Sequence, residues 1–205
     1  MTTAPLHPDA PRWRRLEPDA RREQILDCAV ALFGERPYAA VSTTDIAREA
    51  GVARGLLNHY FGTKRDLYLE VVRKMVVLPE LDDAEAVTGP LKTRVHYSVD
   101  WFLDTVSGYG KTFVAVTGAE GVGDDPEIEH ILADADDAAA RQVLETLGVS
   151  ADIPEHRAAI RAYGGMVKAA VREWIRGETL TRQQVHLLLS QALVTIVRDV
   201  LPEMG

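Results

Sequence analysis

The chain has 205 residues, 46% apolar and 26% charged, ordinary values for a soluble globular protein of one or two domains whose core is stable unaided. Its net charge of −8 argues against a uniformly basic nucleic-acid binder, but the charge is unevenly divided: residues 1–80 carry 12 Lys and Arg against 11 Asp and Glu, residues 81–205 carry 11 against 20. No apolar run approaches the roughly 20 residues needed to span a bilayer, no signal-peptide core opens the chain, and the single Cys28 excludes an internal disulfide, so a cytoplasmic protein with no membrane partner is expected.

Residues 1–18 hold Pro5, Pro8, Pro11 and Pro18, too many for a helix, and read as a mobile arm. Arg12, Arg14, Arg15, Arg21 and Arg22 crowd near the start of the first helix, expected over 19–35, whose Ile25, Ala29, Leu32 and Phe33 face inward. Two readings of these arginines stay open, an arm in the DNA minor groove and a tail adding weak phosphate attraction. Cys28 falls on the apolar face of this helix and reads as a small core residue.

The stretch from Ser42 to Leu67 carries most of the information. Ser42 and Asp45 have capping-box spacing, and Ile46, Ala47 and Ala50 put one apolar face on a helix of about two turns. Gly51 stands where a helix ends in the left-handed conformation. A second helix from Ala53 to about Tyr60 follows after one short turn, giving a helix-turn-helix over about 43–62 whose second helix suits the DNA major groove. In that helix Leu57, Tyr60 and Phe61 have core spacing, while Arg54, Leu56, Asn58 and His59 point outward.

Over residues 20–72 the chain resembles the TetR family of bacterial transcriptional regulators. The resemblance is carried by Ser42, by Ile46-Ala47-Arg48-Glu49-Ala50-Gly51-Val52, by Gly55-Leu56-Leu57-Asn58-His59-Tyr60-Phe61 and by Lys64. Three positions depart from the family pattern: Ala53 replaces the usual capping Ser, Asn58 the common Tyr, and Tyr60 the common His. The resemblance implies an all-α protein of about nine helices. A three-helix head with its connecting helix, residues 19–78, would bind DNA, and a helical body, residues 79–205, would bind a ligand and dimerise.

On this reading Arg54 pairs with guanine or phosphate, Asn58 makes a bidentate contact to adenine, and Leu56 touches a thymine methyl. Gly55 admits a close phosphate, Thr43 and Thr44 offer hydroxyls and amides, and Lys64 clamps the backbone. His59 faces the same groove. Tyr60 either bonds a phosphate or packs beneath the helix.

A fourth helix is expected over 64–78, and Pro79 with the acidic residues 80–85 forms the hinge. The body shows no strand pattern. Helices are expected over 90–106, 111–119, 126–147, 154–177 and 182–201, with Asp125-Pro126 and Thr181 to Gln184 as start signals. The last two helices carry surplus apolar surface. Ile160, Tyr163, Val167, Ala170 and Trp174 form one stripe, and Ala158, Ala162, Gly165 and Ala169 form a second, small-residue stripe. The final helix presents Val185, Leu188, Leu189, Ala192, Ile196 and Val200, with Leu187, Val194 and Leu201 on other faces. A helix apolar nearly all round is buried on both sides, so a two-fold dimer through the eighth and ninth helices is expected.

Tyr97, Trp101, Phe102, Thr105, Tyr109, Phe113, Tyr163 and Met166 fall on the helices that surround the ligand cavity in the resembling family, and aromatic walls suit an apolar or aromatic effector. The phosphate-loop look-alike at Gly110-Lys111-Thr112 lacks its first glycine, since Thr105 stands there. The calcium-loop count from Asp134 fails at Ala138 and Ala139. The histidines lack metal spacing and no nucleophile motif occurs, so no cofactor, metal or catalysis is expected. The expected function is a dimeric, ligand-released DNA-binding repressor on a near-palindromic operator. The alternative is a non-specific DNA binder whose body recruits a protein partner without a ligand.

Overall fold

The computed structural model describes residues 17–77, 88–118 and 125–204. Residues 1–16 of the expected arm and the expected hinge at Pro79 to Glu85 lie outside the described residues, while Pro18, expected in the arm, opens the first helix.

Among the described residues the chain is helical throughout, without a strand. The head comprises α1 (Pro18–Glu35), a 3-10 turn at Tyr38–Ala40, α2 (Thr43–Glu49), α3 (Arg54–Phe61) and α4 (Lys64–Val76). The body comprises α5 (Leu91–Ser107), α6 (Gly110–Thr117), α7 (Pro126–Thr146), α8 (Pro154–Ile175) and α9 (Arg182–Thr195), which runs on through a π turn at Ile196–Val200 and a 3-10 turn at Leu201–Glu203. Pro18, Pro126 and Pro154 open their helices at the first position, where the missing N–H costs nothing. Capping boxes start α2 (Ser42 with Asp45), α4 (Thr63 with Asp66) and α9 (Thr181 with Gln184).

The head core gathers Ile25, Ala29, Phe33, Ile46, Leu57, Leu67 and Val71, with Tyr68 packed edge to face on Phe33 and Tyr38, which stack on each other. It also takes in Val116 of α6 and Ile128 of α7. The seam is close because Gly34 lacks a side chain: a Cβ there would meet Thr112 Oγ1 at 2.3 Å. Thr112, itself buried, donates its hydroxyl to Val30 O at 2.8 Å. Arg65 of α4 adds paired bonds to Asp125 at 2.8 and 3.0 Å, and Arg65 and Arg73 both reach Glu127. Residues from α5 to α9 form a second core around Val95, Leu103, Leu144, Ile160, Val171 and Leu189.

The faces of α9 divide differently from the sequence expectation. Val185, Leu189, Leu193, Val194, Val197 and Leu201 are buried, while Leu187 is 59% and Leu188 45% exposed, and Val200 also faces out. Leu188 and Val200 therefore leave the inward stripe, and Val194 and Leu201 join it. On α8 the small-residue stripe Ala158, Ala162, Gly165 and Ala169 is exposed along its length.

Arg182–Glu203, 22 residues, is long and apolar enough to cross a membrane by length and composition. Its inner side packs on α5 and α8. Arg182 at one end bonds Asp100 and Asp104 of α5, so this is the core helix of a bundle with one uncovered apolar side.

Candidate nucleic-acid interface and body cavity

The reading unit is set by local chemistry. The amide of Asp45 donates to Ser42 Oγ, and Ser42 N donates back to the Asp45 carboxylate, both at 3.1 Å. The Ser42 hydroxyl and amide hold the Asp45 carboxyl below its ordinary value. Gly51, at φ 63°, makes the turn. Ala53 gives α3 no side-chain cap, which leaves its first amides open toward solvent.

Leu57 and Phe61 anchor α3 in the head core, and the Arg22 guanidinium lies 4.8 Å over the Phe61 ring. Arg54, Gly55, Leu56, Asn58 and His59 are all exposed, Arg54 and Asn58 beside the buried face and Gly55 and His59 away from it. Tyr60 is half-buried, packed against the head core with its ring edge toward His59. Gly55 has no heavy atom within 4 Å of where a Cβ would sit, and its φ is not in the left-handed region, so nothing inside the protein requires glycine there.

Thr43, Arg54, Asn58 and Lys64, with Ser42 and Thr63, ring one open, polar hollow of about 520 Å³. Thr44 is exposed beside it on the first turn of α2. Lys64 has a second task that the sequence did not disclose. Its ammonium donates to Tyr38 O and lies 3.9 Å from the Tyr38 ring centroid, fixing the 3-10 turn against α4. Burial pushes its pKa down. An ammonium has three donors, so this bond leaves others for the hollow.

The body holds an apolar cavity of about 150 Å³ between α5, α6, α7, α8 and α9. Of the residues singled out from sequence, Trp101, Phe102, Phe113 and Tyr163 line it. The other four do not. Tyr97 is exposed, Thr105 turns its hydroxyl back to Trp101 O at 2.8 Å, Tyr109 packs in the seam between the two cores, and Met166 packs against the body core. The missed wall is α7, through Leu132, Ala135, Asp136, Ala139 and Val143, with Gly164 and Lys168 of α8 beside it. Alanines spaced along one face of α7 are the signal that marks this wall.

Burial raises the Tyr163 hydroxyl pKa strongly, and that hydroxyl donates to Leu189 O at 3.1 Å. Cys28 packs half-buried on the head core, and its thiol pKa is raised by burial. Among the described residues no group of three His, Cys, Asp or Glu could hold a metal ion.

Residues 25–71 match the family described as bacterial regulatory proteins, tetR family, and residues 91–196 match the tetracyclin repressor-like C-terminal domain. Over 172 residues the chain is 27% identical to the HTH-type transcriptional activator FasR of Mycolicibacterium smegmatis, covering 82% of this chain and 78% of FasR. It is 43% identical over 56 residues to the HTH-type transcriptional regulator BetI of Agrobacterium fabrum, a stretch that spans only 27% of each protein. A tetR-family transcriptional regulator from Streptomyces coelicolor shares the fold, with a TM-score of 0.71 at 23% identity over 90% of this chain and 85% of that one. So does the regulator FadR from Bacillus subtilis, solved in complex with stearoyl-CoA, with a TM-score of 0.61 at 18% identity over 87% of this chain and 98% of that one. With both its helix-turn-helix head and more than half its length matched in this way, the chain belongs to the TetR family: it is a DNA-binding transcriptional regulator and not an enzyme.

Proposed function

We propose that the protein binds a near-palindromic operator as a dimer, represses transcription by occupying it, and is released by a small apolar or aromatic effector in the body cavity. The observation that carries this reading is the exposed Arg54 and Asn58 of α3 bordering a polar hollow while Leu57 and Phe61 lock the helix into the head core. Arg54, Asn58 and Leu56 read base edges in the major groove, Thr43, Thr44, Gly55, His59 and Lys64 meet the phosphate backbone, and Tyr60 packs beneath the helix.

The exposed apolar side of α9 and the small-residue stripe of α8 supply the dimer surface, which sets the spacing of the two heads. α6 supplies the link between sites. Phe113 and Thr117 touch the cavity, and Thr112 on the same helix is bonded to α1. A ligand that displaces α6 changes head spacing and shifts the population toward a form that fits only one half-site. The protein works on chromosomal DNA in the cytoplasm.

FasR, the relative that aligns over most of the chain, is named an activator, which favours a second reading of the sign alone. Footprinting on selected genomic sites, paired with a promoter reporter in a deletion strain, tests both. Protection overlapping the promoter, with reporter output rising on deletion, supports repression. Protection upstream with output falling supports activation. Binding without any footprint boundary sinks both and favours the non-specific, partner-recruiting alternative.

A further inference from the structure

The wall of the body cavity has a chemical preference of its own. Its volume of about 150 Å³ equals that of an apolar protein cavity that takes one benzene-sized guest (~150 Å³). The hydroxyls on its wall are already committed as donors: Ser98 to Arg94 O at 2.9 Å, Thr117 to Phe113 O at 2.7 Å, Thr146 to Gln142 O at 2.8 Å and Tyr163 to Leu189 O at 3.1 Å. A ligand acceptor group therefore finds no free hydroxyl donor there.

It finds cations instead. Lys168 and Arg161 both line the cavity, with Gly164 between them on the same face of α8. Gly164 has no heavy atom within 4 Å of its absent Cβ, which leaves the wall open between the two charges. Lys168 bonds Asp136 and Arg161 bonds Asp137, each at 2.7 Å, but Asp137 is also shared with Arg141 at 2.7 Å and Arg157 at 3.6 Å. Four cations thus share two carboxylates on this side of the body, Lys168, Arg161 and Asp136 among them lining the cavity, although residues 81–205 as a whole carry 20 acidic against 11 basic side chains. Asp134, the next acid on α7, pairs with exposed His130 instead. The Lys168–Asp136 pair is partly exposed, at 27% and 39%, so exchanging Asp136 for another carboxylate costs little.

Resting on the reading of this cavity as the effector site, we infer that the effector is a compact monocarboxylic acid, one aromatic ring or a short aliphatic chain, whose carboxylate is met by Lys168 and Arg161. The ring or chain fills the space bounded by Trp101, Phe102 and Phe113. The carboxylate replaces Asp136 on Lys168 as a charge-assisted acceptor.

Calorimetric titration of the full chain with 3-phenylpropanoate, its neutral amide and the matching amine tests this, with octanoate as the chain-shaped acid. At least one acid binds tighter than the amide by about tenfold or more, and the amine is weakest. Lys168→Met brings the acid down to the level of the amide and leaves amide affinity and melting temperature in place. Arg161→Met gives the same readout if the first variant does not fold. An amide as tight as the acids, or a tighter amine, overturns the anionic preference while leaving the cavity as a ligand site. Failure of every probe to bind overturns the cavity reading and the inference together.

Discussion

Replacing Gly34 with Ala tests the seam that joins head to body. The new methyl would lie 2.3 Å from Thr112 Oγ1, 3.0 Å from its amide nitrogen and 3.3 Å from its Cα. Relief requires α1 and α6 to separate by about 1 Å, since non-bonded heavy atoms prefer roughly 3.5 Å. That separation stretches the 2.8 Å bond from Thr112 to Val30 O, which costs about 1 kcal/mol. Overpacking adds ~1–3 kcal/mol, and the better helix propensity of Ala returns somewhat under 1 kcal/mol. The net loss is about 1–3 kcal/mol, a fall in melting temperature of roughly 3–10 °C for a chain of this size.

Thermal unfolding followed by circular dichroism reads the change. Thr112→Ala removes the closest clashing atom, so the double variant recovers part of the loss and a double-mutant cycle shows coupling of about 1 kcal/mol. A Gly34→Ala protein that melts at or above the parent temperature, as propensity alone predicts, refutes the argument.

Gly55→Ala behaves in the opposite way: with open space around it, the methyl raises the melting temperature by about 1–3 °C, yet weakens DNA binding by crowding the phosphate; unchanged affinity contradicts the close approach. Leu187→Glu puts a charge on the exposed side of α9 and shifts the protein to monomer in analytical ultracentrifugation with its helical content kept, and a persisting dimer removes α9 from the interface. Asp45, Asp66 and Asp125 are held below the ordinary carboxylate value of 3.8, first by the hydroxyls of Ser42 and Thr63 and, for Asp125, by Arg65. Their stabilisation is complete above the unfolded value and is lost as pH falls through the lower folded values, so Asp45→Asn with Asp66→Asn flattens the loss of melting temperature between about pH 5 and 3. An acid limb identical to the parent's contradicts that assignment.

The head was legible because its signals are local. Ser42 with Asp45, Gly51 at positive φ and the spacing of Ile46, Leu57 and Phe61 each act within a few residues, and the helices fall where these signals put them. Thr63 with Asp66 is the same kind of box, overlooked beside the more conspicuous Lys64. The bond from Lys64 to Tyr38 O joins residues 26 apart and has no local trace.

The cavity was half legible for a related reason. Aromatics on α5, α6 and α8 marked one wall, but a cavity is space left by packing, and Ala135 and Ala139 shape it by what they lack. The last helix shows the limit of periodicity. With apolar residues on every side, α9 does not reveal which side meets the core, and the packing against α5 and α8 decides that Leu193 turns in and Leu188 out.

The central claim is sequence-selective reading of DNA by the outer face of α3. Its most direct test is selection of genomic fragments by the purified protein, then anisotropy titration of the enriched site against unrelated competitor over a range of salt. The account predicts saturable, competitor-resistant binding with two protomers per site. Arg54→Ala and Asn58→Ala each weaken the enriched site by about 1–3 kcal/mol and relax its sequence preference. Absence of any enriched sequence, with binding lost equally to all competitors and indifferent to both substitutions, contradicts it.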